Sequence, residues 1–248
     1  MRKVSFAIIG LIIMLSTMAT ATPKDNTGSA DKHFDSYKEA FVLSLWQMYP
    51  GWASSVGYHK YDSILVVPDD ASRRKELAFC NAHLDSLRKF DLGTLSDINK
   101  TDYYLLKNQL EYAIWSIKEQ RSYEWDPSGY NVSGSFADML GNDYEPLDNR
   151  LRNFSTRLIN VPAYYNAARR NISNPTKEHT DLAIEQNLGG ISVFEKDLEE
   201  ALAKSNLTAD EKRLVRERAL TAVAAIKNFT EWLKQLPNKA PRSFRLGK

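Results

Sequence analysis

The chain has 248 residues, and its 33 lysines and arginines nearly balance its 31 aspartates and glutamates, leaving a formal net charge of +2. These charges are spread along the chain, so there is no basic patch to follow a phosphate backbone, and we expect no nucleic-acid partner. The single cysteine, Cys80, has no partner for an internal disulfide, so the fold has to be held by packing.

The first 21 residues have the pattern of an export signal. Arg2 and Lys3 precede an apolar run, and Ala19-Thr20-Ala21 offers a small-x-small cleavage site. The apolar run is shorter than the ~20 residues that span a bilayer. We expect cleavage after Ala21, no membrane span after cleavage, and a secreted or periplasmic protein that is not a lipoprotein, since no cysteine adjoins the site.

A flexible leader is predicted over residues 22–31, which are polar and have no periodicity. Helical spacing then begins, and we assign a helical domain to residues 32–240. Apolar residues at steps of three and four from Phe34 to Met48 predict the first helix, which should end before Pro50.

The next two helices follow a loop rich in glycine and tyrosine. One is predicted from Asp69-Asp70 to Lys89, with Cys80 as a buried thiol on its apolar stripe. The other is predicted from a cap at Ser96 to Asp126, and its wide apolar face implies neighbours on more than one side. The stretch from Asp126 to Asp143 is predicted to be a long connection.

The C-terminal half of the chain also has helical periodicity. Glu145 to Asn171 predicts two short helices divided at Pro162, and Asn174-Pro175 should open the next helix. The pair Gly189-Gly190 inside that helix predicts a kink or a close helix contact.

The last predicted helix has a capping box formed by Thr208 and Glu211. Its apolar seam runs from Val215 to Leu236; we expect part of it to pack within the chain and part of the chain's apolar surface to remain without a partner. No segment has a strand period. The predicted fold class is therefore all-α, a multi-helix bundle with long aromatic-rich loops.

Residues for hydrolytic chemistry are not arranged in a recognisable motif. None of the four histidines has another four residues away, as a peptidase-type zinc helix requires, and no Gly-x-Ser-x-Gly elbow occurs. Loop acids, such as Asp62 with Asp69 and Asp70 or Asp143 with Glu145, are more often helix caps than catalytic pairs. We therefore assign no catalytic residue and no metal ligand.

The loop after the first helix is the candidate binding site. Trp52, Tyr58, His59 and Tyr61 could line one wall of a substrate cleft, where His59 would bind a carboxylate or polarise a carbonyl of a peptide ligand. The alternative is structural: Trp52 and Tyr58 would pin the loop to the bundle, and His59 would make one hydrogen bond.

This loop also carries a family resemblance. Residues 49–62 resemble the pattern Y-P-x-W-A-[ST]-x-x-G-Y-H-x-Y-D, and residues 101–110 resemble D-Y-x-L-L-x-N-Q-L. Both patterns are similar to the bacterial family known as domain of unknown function 885. The resemblance implies secreted helical proteins, similar to zinc metallopeptidases, whose second half carries an H-E-x-x-[PH] metal helix.

The resemblance leads to two hypotheses. In the first, the chain is the N-terminal scaffold, and a possible cleft wall, of an exported zinc-peptidase-like protein, inactive alone because the metal helix is lacking. Residues 241–248 would start a missing continuation, zinc would belong only to the missing C-terminal half, and the partner would be that half or a second copy. In the alternative, the chain is a freestanding exported binding module for peptide or cell-envelope ligands.

Overall fold

The structure is a computed structural model that describes residues 28–236 and Ser243. The predicted signal peptide, the leader up to residue 27 and the predicted continuation at 241–248 apart from Ser243 lie outside the described residues. Every regular element in the described part is helical, which confirms the all-α class. The α-helices are α1 (Ser29–Met48), α2 (Pro50–Ser55), α3 (Asp70–Leu87), α4 (Asp97–Trp115), α5 (Ser122–Trp125), α6 (Ser133–Gly141), α7 (Leu147–Leu158), α8 (Val161–Asn171), α9 (Lys177–Gly189), α10 (Lys196–Lys204) and α11 (Ala209–Lys234).

The first hydrophobic core is formed by α1, α3 and α4. Phe34 and Phe41 of α1 pack with Leu87 of α3 and Leu110 of α4. Cys80 lies in the same core and is 1% exposed, which confirms the predicted buried thiol. Burial raises the pKa of this thiol to about 11, so it is not a reactive thiolate at neutral pH.

The second and larger core surrounds α11, which packs against α7, α8 and α9. Its seam residues Val215, Ile226, Phe229 and Leu233 are all buried within the chain. These positions of the final helix therefore have partners within the chain, because α7, α8 and α9 cover them. The exposed apolar side chains instead concentrate on α4.

The N-terminus of α1 lies inside the segment predicted as leader. The helix begins at Ser29, and the side chain of Asp31 is buried. Its Oδ1 accepts hydrogen bonds from the Ser96 amide and from Asn99 Nδ2, each at 2.9 Å. The Ser96 bond in particular lowers the pKa of Asp31, and the contacts tie α1 to the start of α4.

Two sequence predictions around α4 and α6 were wrong. The helix capped by Ser96 ends at Trp115 rather than near Asp126; a π-helical turn then leads to Arg121, whose φ of 49° stops the helix. The predicted long connection contains α6, with Phe136 buried in the second core. This helix has only nine residues, including glycines near both ends, so its periodicity was too short to detect.

Helices α7 and α8 confirm the predicted pair, although Pro162 lies in the first turn of α8 rather than at the break. Proline is tolerated there because the first amides of a helix have no intrahelical acceptor. Helix α9 is capped by Thr176 and not by Asn174.

The predicted glycine contact and the predicted capping box are confirmed. A single turn of 3-10 helix follows Gly189, and a Cβ added at Gly190 would lie 2.0 Å from Ser133 Oγ, so the glycine permits a close contact with α6. Thr208 and Glu211 form the predicted capping box of α11. Within the described residues, no helix has both the length and the apolar character that a membrane crossing requires.

Candidate functional site

The loop from α2 to α3 reverses direction at Gly57. This residue has φ of 89°, a conformation that side chains with a Cβ rarely adopt. The Tyr58 amide donates to Ala53 O at 2.8 Å, which returns the chain towards α2. A 3-10 turn over His59–Tyr61 follows and delivers Asp62 to the interior.

Asp62 is the centre of the site. The residue is 1% exposed. Its carboxylate accepts hydrogen bonds from Ser54 Oγ at 2.5 Å, from Tyr144 OH at 2.5 Å and from His59 Nδ1 at 3.1 Å. Because three donors converge on the two oxygens, the buried carboxylate is well compensated.

Tyr144 joins the loop to the segment between α6 and α7. Its ring stacks on the His59 imidazole, with centroids 3.4 Å apart and planes inclined by 4°. Desolvation, and then the hydrogen bond to Asp62, raise the pKa of the Tyr144 hydroxyl. The phenol therefore stays protonated at neutral pH and acts as a donor.

The orientation of His59 follows from these contacts. Since a carboxylate only accepts, Nδ1 carries the proton that it shares with Asp62. The other ring nitrogen, Nε2, has no hydrogen-bond partner among the described residues, and the side chain is 28% exposed. We call Asp62 with Ser54, His59 and Tyr144 the Asp62 network. Nε2 is thus a fixed acceptor for a group outside this network, or a fixed donor after protonation.

Arg157 of α7 lies beneath the loop. It is 3% exposed, and its Nη1 donates to the main-chain oxygen of Asp62 at 3.4 Å. Burial lowers the pKa of its guanidinium, while the Asp62 charge opposes that effect. The buried Nε has no hydrogen-bond partner in the described part of the chain, so the favourable charge of Asp62 is its main compensation.

Two asparagines, one just before α8 and one at its C-terminal end, fix the rest of the loop onto this helix. Asn160 Nδ2 donates to Leu65 O at 3.0 Å, and Asn171 Nδ2 donates to Pro68 O at 2.6 Å. The loop therefore joins the first core, to which α3 belongs, to the second core.

The four predicted site residues fall into separate contact sets. His59 belongs to the Asp62 network, and Tyr58 and Tyr61 lie next to each other, with ring centroids 6.0 Å apart. Trp52 is 43% exposed and packs edge-on against Trp46, at 5.3 Å. The described residues show no ring contact that joins Trp52 to His59.

Sequence reasoning named Asp62 only as a loop acid beside Asp69 and Asp70, and it did not connect Ser54, Tyr144 or Arg157 with His59. Ser54 and Asp62 lie within the same signature as His59, and that spacing was the available signal. Tyr144 and Arg157 carry no local signal, because only the packing of α7 against the loop brings them there.

Other candidate acids have structural roles. Asp69 accepts from the Ser72 amide and caps α3, as expected for a loop acid. Asp143 pairs with Arg150 at 2.6 Å. Among the residues that the structure describes, no three His, Cys, Asp or Glu side chains form a group that could hold a metal ion.

Comparison with known proteins gives the following relationships. A family model described as "Bacterial protein of unknown function (DUF885)" matches residues 50–248. A solved structure from Shewanella oneidensis, described as "a putative lipoprotein of unknown function", matches 87% of this chain with 44% identity and a TM-score of 0.83. The match covers 40% of that longer chain, so this chain spans about two fifths of its length. No curated protein matched.

Proposed function

The chain belongs to the bacterial family DUF885, and from this premise we propose that it is the N-terminal scaffold domain of an exported peptidase-like protein, with His59 on one wall of a substrate cleft. The observation that carries the proposal is the Asp62–His59 pair. Asp62 holds Nδ1, Tyr144 holds the ring plane, and Nε2 is left for a ligand.

With both ring nitrogens protonated, Nδ1–H stays bonded to Asp62 and Nε2–H can donate to a peptide carboxylate or carbonyl. A histidine whose Nδ1 bonds to a buried carboxylate is fixed in tautomer and direction, so little entropy is lost when Nε2 binds. The half-buried rings of Tyr58 and Tyr61 lie one residue before and two residues after His59 and offer apolar area for a peptide side chain. Trp52 would contact a more distant part of the ligand.

The zinc implied by the peptidase resemblance does not fit the described residues. They hold no metal-ligand group, and no two histidines of the sequence lie four residues apart. No step of the proposal runs through a metal, and the domain contributes positioning only.

The test is an NMR titration of the imidazole signals with trialanine at pH 7. We expect the His59 signals to shift with trialanine and to shift less with N-acetyl-trialanine amide, which lacks the free carboxylate. His59→Gln should abolish the response, whereas His33→Gln removes an exposed histidine of α1 and should leave it unchanged. A chain whose His59 signals ignore trialanine would refute the cleft-wall role.

Export is a second part of the proposal. It rests on the pattern of residues 1–21 and on the description of the S. oneidensis relative as "a putative lipoprotein", which is a class of exported protein. Intact-mass measurement of the protein from cells should give a chain that starts at Thr22. A retained signal segment or a lipid adduct would contradict this processing.

One observation favours the alternative of a freestanding binding module. The Trp46–Trp52 pair is partly exposed, and Tyr49 lies near it at 6.3 Å, so the aromatic cluster could bind peptide or cell-envelope ligands without a further domain. Quenching of tryptophan fluorescence by peptidoglycan fragments, lost in Trp52→Ala but retained in His59→Gln, would support this function over the first.

A further inference from the structure

Helix α4 has two apolar faces. The inner face, with Tyr103 and Leu110, is buried in the first core. On the opposite side Ile98, Leu105 and Tyr112 recur at intervals of seven and are 76%, 63% and 53% exposed. At 3.6 residues per turn, residues seven apart lie nearly above one another, so the three form one line along the helix.

Two more aromatic residues widen this line. Tyr104 and Trp115 are also exposed, and the ring of Trp115 lies 5.9 Å from that of Tyr112. The outer face of α4 is defined here as Ile98, Tyr104, Leu105, Tyr112 and Trp115. Thr101 and Asn108, which lie between them on the helical wheel, carry no charge, and the one charged residue in this sector is Asp97 in the first turn of the helix.

Ion pairs lie at the border of the outer face. Lys107 and Glu111 pair at 2.6 Å along one side, and Lys100 pairs with Asp97 at 3.1 Å at the N-terminal end. A line of exposed apolar side chains along one helix, with ion pairs at its border, is typical of an interaction surface, whereas isolated exposed apolar residues such as Leu220 of α11 are common on any protein.

We propose that the outer face of α4 is the surface on which the remaining part of a DUF885 protein docks. The inference rests on the proposed scaffold function. Its support is the length relationship: the match covers 40% of the S. oneidensis chain, so more than half of that chain lies outside this domain and needs a surface to pack against. The outer face spans about 26 Å along the helix axis, enough for a helix-on-helix contact.

The experiment compares one substitution in two proteins. Leu105→Glu is made in this chain, and the residue that superposes on Leu105 is changed to Glu in the full-length S. oneidensis relative. In this chain we expect a melting temperature within about 2 °C of wild type, because Leu105 is already in water. In the relative we expect a loss of at least about 5 °C, because docking would bury the superposed residue. Leu220→Glu and its superposed counterpart are the matched control and should be near neutral in both.

A second measurement does not depend on a substitution. Hydroxyl-radical oxidation of the side chains that superpose on the outer face should be at least about tenfold slower in the full-length relative than in this chain. Equal oxidation, or a neutral substitution in both proteins, would overturn the docking proposal. The proposal would also be overturned if this chain forms a dimer in sedimentation experiments and Leu105→Glu dissociates it. A second copy would then occupy the outer face of α4. A failed trialanine titration would refute the role of His59 and leave these results unaffected.

Discussion

The imidazole ring of His59 lies flat on the phenol ring of Tyr144, and both side chains bond to the same carboxylate oxygen, Oδ2 of Asp62. This relationship connects the α2–α3 loop to the segment before α7. It makes the orientation of His59 depend on a residue that lies between α6 and α7, and the first prediction follows from it.

Tyr144→Phe keeps the ring stack and removes the hydroxyl that donates to Asp62. We expect a loss of about 1–2 kcal/mol in the free energy of unfolding, measured by urea denaturation, because the bond is to a buried carboxylate and is itself only partly buried. Tyr112→Phe, on the exposed outer face of α4, is the control and should cost almost nothing. Equal stability of the two variants would show that the hydroxyl of Tyr144 is not bonded as described.

Asp62→Ala should be much more costly, by about 3–5 kcal/mol. The change leaves three donors without their acceptor and removes the charge that compensates the buried guanidinium of Arg157. Asp62→Asn retains one acceptor oxygen and should lie between this variant and wild type. A loss below 1 kcal/mol in Asp62→Ala would indicate a solvated network.

The glycine pair after α9 offers a matched test of packing. Gly190→Ala should lose about 1–3 kcal/mol, since the new methyl would lie 2.0 Å from Ser133 Oγ. Gly189→Ala meets no atom within 4 Å and should be neutral or gain up to about 1 kcal/mol. Adding Ser133→Gly to Gly190→Ala should restore most of the loss; a persistent loss would place the strain in the backbone.

Glu76 predicts a specific pH dependence. Burial raises the pKa of this carboxyl above its ordinary 4.5, although its hydrogen bond from Tyr49 opposes the shift. The folded state therefore binds the proton more tightly than the unfolded state, so this group favours folding below pH 4.5 and loses that contribution as pH rises through the folded pKa. Glu76→Gln should be more stable than wild type at pH 7 and should lose that advantage near pH 4. Melting temperatures across this range measure the difference, and an advantage that is independent of pH would exclude ionisation as its cause.

Metal content provides the last prediction. After dialysis the chain should hold no stoichiometric zinc and should not cleave a mixed-peptide substrate, because the described residues offer no metal-ligand group. Elemental analysis and a peptide digest are the measurements. One tightly held zinc per chain would contradict the prediction, and His59→Gln would then test whether His59 is a ligand.

Much of the fold could be predicted because helical periodicity is a local property. The capping box of α11, the stripe of α1 and the buried Cys80 were all visible in the spacing of residues. The errors arose where that signal is short or a cap is ambiguous. Helix α6 was missed because it has only nine residues. The cap of α9 was assigned to Asn174 instead of Thr176, because both residue types make good caps and only the backbone geometry selects one.

The sequence by itself determined the helical class, the family resemblance and the choice of His59, since each depends on residues close together along the chain. Only the tertiary structure decided what His59 can do. Tyr144 and Arg157 reach the site because α7 and the segment before it pack against the loop, and no local pattern encodes such long-range contacts. The same holds for α4: periodicity revealed a wide apolar face, but only the packing of α1 and α3 shows which side they bury and which side remains exposed.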